Sequence, residues 1–239
     1  MPAIVITGAA KRVGKALAEF FADRDWEVGL HYNRSEKEAE DLARRLQQRF
    51  PHRHFPLLPC DLSDPEAVAR FWDQWPGELP FPEVLVNSAS VFEPASLAET
   101  DQDLWRRQFQ VNFEAPFVLM QELHKRGSGG SMLNILDTRI TNAQSSHAAY
   151  SLSKKALAEL TRMAALEWAP AWRVNGVAPG PVLPPPGKDA AYLQKVAEAA
   201  PLQRPVALEE LLEAVWFLVT NRAVTGQIVF CDSGAHLIG

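Results

Sequence analysis

The sequence has little cysteine: Cys60 and Cys231 are the two, each beside an aspartate near the end of an apolar run. Such a pair provides neither a disulfide framework nor a metal-ligand spacing, so no metal is expected and a reducing compartment fits. No apolar stretch approaches the ~20 residues that a membrane-crossing helix needs. No run of Lys and Arg occurs and the net charge is -5, which gives no footing for nucleic acid. The chain opens directly on an apolar strand-like run without a signal peptide, so a cytoplasmic location is expected. No repeat, linker or composition break divides it. What remains is ordinary for a globular enzyme-sized chain: 239 residues, 47% hydrophobic and 22% charged, enough for one sizeable core.

Along that chain, short apolar runs alternate with helical patterns. "AIVITG", "EVGLHY", "HFPLLPCD", "EVLVNSA", "GSMLNILD", "WRVNGVAPG" and "GQIVFCD" are seven strand-like segments. Between them lie helical patterns at 12–24, 36–49, from Pro65 with Asp64 as N-cap, 101–126, 148–169 and 208–219. Residues 181–206, rich in proline and alanine, are expected to form a loop with a short helix. Strict alternation of buried strands and helices implies one doubly wound Rossmann-type α/β domain over 1–239, with a parallel seven-stranded sheet covered by helices on both faces. Such sheets bind ligands at the carboxyl ends of their strands. Here those ends hold Thr7 to Gly14, His31 to Ser35, Asp61, Asn87 to Phe92, Asp137 and Pro179 to Leu183.

Two of the helical residues carry chemistry. Tyr150 and Lys154 stand at i and i+4 and share a helix face, and Asp137 precedes them at the end of the fifth strand-like run. A cation beside a phenol favours ionisation and lowers its pKa from about 10, so a proton-transfer role is expected of Tyr150. The pair alone is equally compatible with an ordinary amphipathic helix. The turn "TGAAKRVG" follows the first strand and opens the first helix, and offers backbone N–H groups to a phosphate.

Taken together, T-G-x-x-x-x-x-G after strand one, N-x-A near the end of strand four, Asn112, Y-x-x-x-K and P-G after strand six resemble the short-chain dehydrogenase/reductase family over essentially the whole chain. Within it, "TGAAKRVG", "LHYNRS", "NSASVF" and the "LD" upstream of Tyr150 resemble the pteridine reductase branch, which includes bacterial dihydromonapterin reductases. That branch has Arg where most relatives have a third glycine, here Arg12, and Asp where most have a catalytic serine, here Asp137. A serine hydroxyl donates to a carbonyl oxygen, whereas a carboxylate accepts from ring or amino N–H groups and suits a nitrogen-rich ring.

The resemblance implies Asp137, Tyr150, Lys154 and Asn112 as the catalytic set, Asn112 helping to hold a water near the lysine. Cofactor contacts would come from Gly8, Arg12, Val13, Gly14, Tyr32, Asn33, Arg34, Ser35, Asp61, Leu62, Asn87, Ala89, Ser90, Tyr150, Lys154, Pro179, Gly180 and Val182. The second strand ends without the acid that would bind a ribose 2′-hydroxyl, and offers Arg34 and Ser35 instead, so NADPH is the expected cofactor. Substrate would touch Arg12, Ser90, Phe92, Asp137 and Tyr150, with Phe92 stacking on the flat ring. A loop Phe packed into the core and a solvated Arg–Ser turn are the plainer alternatives. Two departures stand out: P-G-P-V-L lacks the Thr or Ser that many relatives place after P-G, and the substrate loop is unusually proline-rich.

The expected activity is NADPH-dependent reduction of a dihydropterin such as dihydrobiopterin, dihydromonapterin or dihydrofolate, by a homotetramer with neither nucleic-acid nor membrane partners. A carbonyl reductase for acyl or sugar substrates is the alternative in the same class; Arg12 and Asp137 argue against it. A catalytically silent NADP-binding regulator would have no need of Tyr150, Lys154 and Asn112.

Overall fold

The computed structural model describes residues 1–185 and 187–238. Its strands are β1 (Ala3–Ile6), β2 (Glu27–Tyr32), β3 (Leu57–Pro59), β4 (Val84–Asn87), β5 (Gly130–Ile135), β6 (Trp172–Pro179) and β7 (Ile228–Cys231). They form one parallel sheet in the order β3-β2-β1-β4-β5-β6-β7. The order reverses between β1 and β4, which places the ligand crevice above their carboxyl ends.

The strands are hydrophobic on both faces because successive side chains point to opposite sides. Ile4, Ile6, Val84 and Val86 enter one apolar cluster, whereas Ala3, Val5 and Leu85 enter the other. The first is closed by α1 (Arg12–Ala22) and α8 (Leu208–Thr220). Helix α1 buries Gly14, Leu17, Ala18, Phe21 and Ala22, and α8 buries Leu211, Leu212, Val215, Leu218 and Val219, both at helical spacing. α2 (Glu36–Arg49) adds Leu42 and Leu46 to the same cluster. On the opposite face α5 (Ala115–Arg126) contributes Leu119, Met120 and Leu123, together with Phe71, Trp72 and Trp172. Each fully buried large aliphatic residue stabilises the fold by roughly 1.5–3 kcal/mol before entropy is subtracted.

The helix starts follow their local chemistry. Asp64 caps α3 (Pro65–Ala69), accepting from the backbone N–H of Glu66 and Ala67. Asp101 caps α4 (Gln102–Phe109) through the N–H of Leu104. The long helix expected over 101–126 is divided: α4 passes through a π-turn at Gln110–Glu114 into α5. The extra residue in that turn re-aims the backbone at Asn112, and such turns recur at functional sites. α6 (Ala148–Glu167) carries Tyr150 and Lys154, and α7 (Ala190–Ala197) is the short helix expected inside the 181–206 segment. Pro186, in the proline run of that segment, lies outside the described residues. Among the described residues no helix is long and apolar enough to cross a membrane.

Candidate active site

The first turn is shaped by two glycines. Gly8 has φ of +68°, a conformation that favours glycine. A Cβ on Gly14 would lie 2.2 Å from the Gly8 carbonyl oxygen, so no larger residue fits there. His31 fixes the turn from beneath: its Nδ1 accepts from Gly8 N–H at 2.9 Å, and its Nε2 donates to Cys60 O at 3.1 Å. Burial lowers the imidazole pKa to about 4, which keeps the ring neutral and leaves Nδ1 free to accept. Across the crevice the Thr7 hydroxyl accepts from Ser88 and Ala89 N–H, both at 2.9 Å, and joins the end of β1 to the loop after β4.

Above these turns lies a cleft of about 690 Å³. Gly8, Arg12, Val13, Gly14, Asn33, Arg34, Asp61, Leu62, Ala89 and Ser90 all line it, so the structure brings together most of the cofactor residues expected from the sequence. Arg34 is exposed at the end of β2. The Asp61 carboxyl is held below its usual range by hydrogen bonds from the Ser63 hydroxyl at 2.7 Å and the Ser63 N–H at 2.9 Å. Ser35 sits at the start of α2 without a side-chain cap bond. At the other end, Gly180 N–H donates to Cys231 O at 2.9 Å, a Cβ on Gly180 would meet Asp232 at 2.9 Å, and Val182 packs against the core.

The side chains of three expected residues are engaged in structural contacts. Tyr32 turns its ring into a small apolar cluster with Ala10, Ala39 and Leu57, because the strand's alternation points it inward and away from the cleft. Asn87 is buried and donates to Asn134 Oδ1 at 2.9 Å, and Asn134 donates in turn to Thr161 Oγ1 at 2.9 Å. It therefore ties β4 to β5 and α6 rather than facing the cleft. Asn112, placed by the π-turn, accepts from Val91 N–H at 2.9 Å and the Ser90 hydroxyl at 3.0 Å and donates to Val91 O at 2.9 Å. Its amide clamps the Ser90–Val91 loop, whose residues line the cleft.

Asp137, Tyr150 and Lys154 do converge. The Tyr150 hydroxyl donates to Asp137 Oδ2 at 2.8 Å, and Lys154 Nζ donates to Ile135 O at 2.8 Å. Asp137 Oδ1 accepts from Arg139 N–H at 2.8 Å, so the 3₁₀ turn Thr138–Ile140 holds the carboxylate in place. The electrostatics reverse one sequence expectation. Burial, then the charge and hydrogen bond of Asp137, push the Tyr150 phenol well above 10, while burial lowers Lys154 to about 8. The lysine lies 6.0 Å from the phenol ring centroid, and its influence is outweighed by the carboxylate in direct contact. Tyr150 is a protonated donor, not an ionised base.

Phe92 is exposed and packs edge-on to Tyr150, with ring centroids 4.6 Å apart at 84°. One of its faces is covered by His147, stacked at 4.1 Å and 11°. The Arg139 guanidinium lies 5.8 Å from the same ring. Sequence reasoning missed His147 and Arg139; their position near Asp137 and before Tyr150 was the only signal, and many loop residues share it. Arg12, expected to reach the phosphates or the substrate, lines the cleft; with φ of +53°, it also donates to Pro184 O at 2.9 Å and Leu183 O at 3.2 Å.

Residues 8–236 match a family model described as enoyl-(acyl carrier protein) reductase. Pteridine reductase 1 of Leishmania tarentolae is 30% identical, covering 99% of this chain and 96% of its own. Cis-4-hydroxycyclohexanecarboxylate dehydrogenase of Sinomonas cyclohexanicum is 32% identical over 96% of this chain and 94% of its own. The crystal structure of FolM alternative dihydrofolate reductase 1 from Brucella canis, complexed with NADP, superposes with a TM-score of 0.91 at 33% identity, covering 100% of this chain and 95% of that one.

Proposed function

Because this chain belongs to the short-chain dehydrogenase/reductase family, we propose that it is an NADPH-dependent reductase of pteridines. One observation carries the choice of substrate: a carboxylate, Asp137, is the group hydrogen-bonded to the Tyr150 hydroxyl at 2.8 Å. A carboxylate has only acceptors to offer, which match the amino and ring N–H groups of a pterin and not a simple carbonyl oxygen. The likeness to a pteridine reductase and to an alternative dihydrofolate reductase complexed with NADP supports the same reading.

The cleft fits the cofactor. The glycine turn, with its φ of +68° at Gly8 and no room for a side chain at Gly14, would hold the diphosphate against the start of α1. Asn33, Arg34 and Ser35 would hold the 2′-phosphate, Asp61 and Leu62 the adenine, Tyr150 and Lys154 the nicotinamide ribose, and Pro179 to Val182 the nicotinamide. When bound, reduced nicotinamide supplies a hydride. The remaining work belongs to the chain. Phe92, which is exposed, would stack on the ring, and Asp137 would take up the ring's N–H groups. A ring N–H on Asp137 competes with the phenol for the carboxylate, and the Tyr150 proton is then free to pass to the substrate. A phenol held protonated is suited to this direction, which consumes a proton.

The decisive assay is NADPH oxidation with dihydrobiopterin, dihydromonapterin, dihydrofolate and a panel of ketones. Turnover of ketones with none of any pteridine would overturn the reading in favour of a carbonyl reductase. For the cofactor, Arg34→Ala is expected to raise the KM for NADPH about tenfold or more while that for NADH changes little, since a charge-assisted contact contributes roughly 1.5–3 kcal/mol. A wild-type preference for NADH at equal concentration would refute the assignment.

The working form we propose is a cytoplasmic homotetramer of single-domain chains, with residues 181–206 selecting the substrate. Both cysteines are free, and Met163 and Leu166 on α6 and Trp105 on α4 are exposed apolar residues suited to subunit contacts. Light scattering at micromolar concentration is expected to give four times the 26.6 kDa chain mass, and a monomeric mass would refute it.

A further inference from the structure

The arginines around the cleft differ in how their charge is met. Arg107 is bidentate to Glu93, both bonds at 2.8 Å, and Arg12 is held by two backbone carbonyls. Arg139 has neither. Its guanidinium reaches only the neutral Ser146 hydroxyl, at 3.4 Å, and the ring of Phe92, at 5.8 Å. Among the described residues no carboxylate lies within ion-pair distance of it: Asp137, its nearest acid in sequence, bonds its backbone N–H instead. The side chain is half-buried, and its backbone is fixed by the same turn that fixes Asp137. A half-buried guanidinium without a counter-charge keeps its fork of donors available to an anionic group.

The neighbours say where that counter-charge would come from. His147 stacks on Phe92 at 4.1 Å, and its Nδ1 lies 3.2 Å from the same Ser146 hydroxyl. Phe92, His147, Ser146 and Arg139 thus form one polar and aromatic wall beside Tyr150. A flat ring stacked on the exposed part of Phe92 would bring its substituent close to this wall.

We propose that Arg139 recognises a carboxylate on the substrate's side chain, so that the enzyme favours pteridines with an acidic substituent over those with a neutral one. The proposal rests on the pteridine reading and adds the class of side chain to it. Arg suits the task because its donors form a planar fork that matches a carboxylate in two bonds. Ser146, itself beside His147, holds the fork near Phe92, which makes Arg139 a specificity-determining residue.

Dihydrofolate, with two carboxylates, and dihydrobiopterin, with none, share the reacting ring and separate the effects. In Arg139→Gln the ratio of kcat/KM for dihydrofolate to that for dihydrobiopterin is expected to fall about tenfold or more, mainly through the KM for dihydrofolate. Arg139→Lys restores part of the ratio. Raising the salt concentration lowers the wild-type ratio, because the contact is charged and half-exposed. An unchanged ratio in Arg139→Gln, or an equal loss with both substrates, overturns the proposal while the pteridine reading stands. Reduction of no pteridine by the wild type removes both.

Discussion

Tyr150→Phe is expected to lower pteridine turnover by on the order of 10³-fold, within the range for loss of a general acid. The ring keeps its volume, so packing against Phe92 at 4.6 Å and the buried position on α6 are retained. What is lost is, among the described residues, the only hydroxyl bonded to Asp137 Oδ2. The carboxylate oxygen left without it costs roughly 1–3 kcal/mol, less where water reaches it. NADPH binding, followed by fluorescence, is expected to survive, which separates a chemical defect from a folding one. Turnover within tenfold of the wild type would remove Tyr150 from the proton path.

Asp137→Ser has the second-largest expected effect, a fall of about 10²-fold with pteridines. It also has a signature that a merely structural residue would lack. The Asp137 charge and hydrogen bond both raise the Tyr150 pKa. Removing them lets the phenol ionise at lower pH. Since protonated phenol is the active form, the alkaline limb of the kcat profile moves to lower pH in the variant. A profile that stays in place, or moves upward, would show that Asp137 does not set the state of Tyr150. Unchanged pteridine reduction would return the chain to the carbonyl reductases of its family.

Much of this is legible in the sequence alone. The seven strands, the Asp64 cap and helix 36–49 follow from apolar periodicity and capping chemistry, which are local. The π-turn that breaks 101–126 is not local in that sense. Gln110–Glu114 contains no Pro or Gly that would announce a break, and what the turn achieves, holding Asn112 against the Ser90–Val91 loop, is a contact with a distant segment. Tyr32 shows the same limit: its place at the end of β2 is plain from sequence, but which face it takes depends on the strand's register. The sign of the Tyr150 shift was hidden for another reason. Spacing along the helix announces Lys154 as a neighbour, yet a carboxylate from a different strand end, 2.8 Å away, prevails over it. Coulomb energy falls with distance, and sequence separation says little about distance between segments.

Arg12 holds the 181–206 segment by the oxygens of Leu183 and Pro184. Every residue type supplies such an oxygen, so this tether is blind to side chains. Substitutions at 183 and 184 that keep the backbone path change what faces the ligand without releasing the strap. A chain anchored in this way can drift in sequence toward new ligands while its mooring to the opening turn stays put. The reverse does not hold, because no other residue at position 12 presents the same two-pronged grip. Change on one side of the contact therefore keeps the tether, and change on the other gives it up.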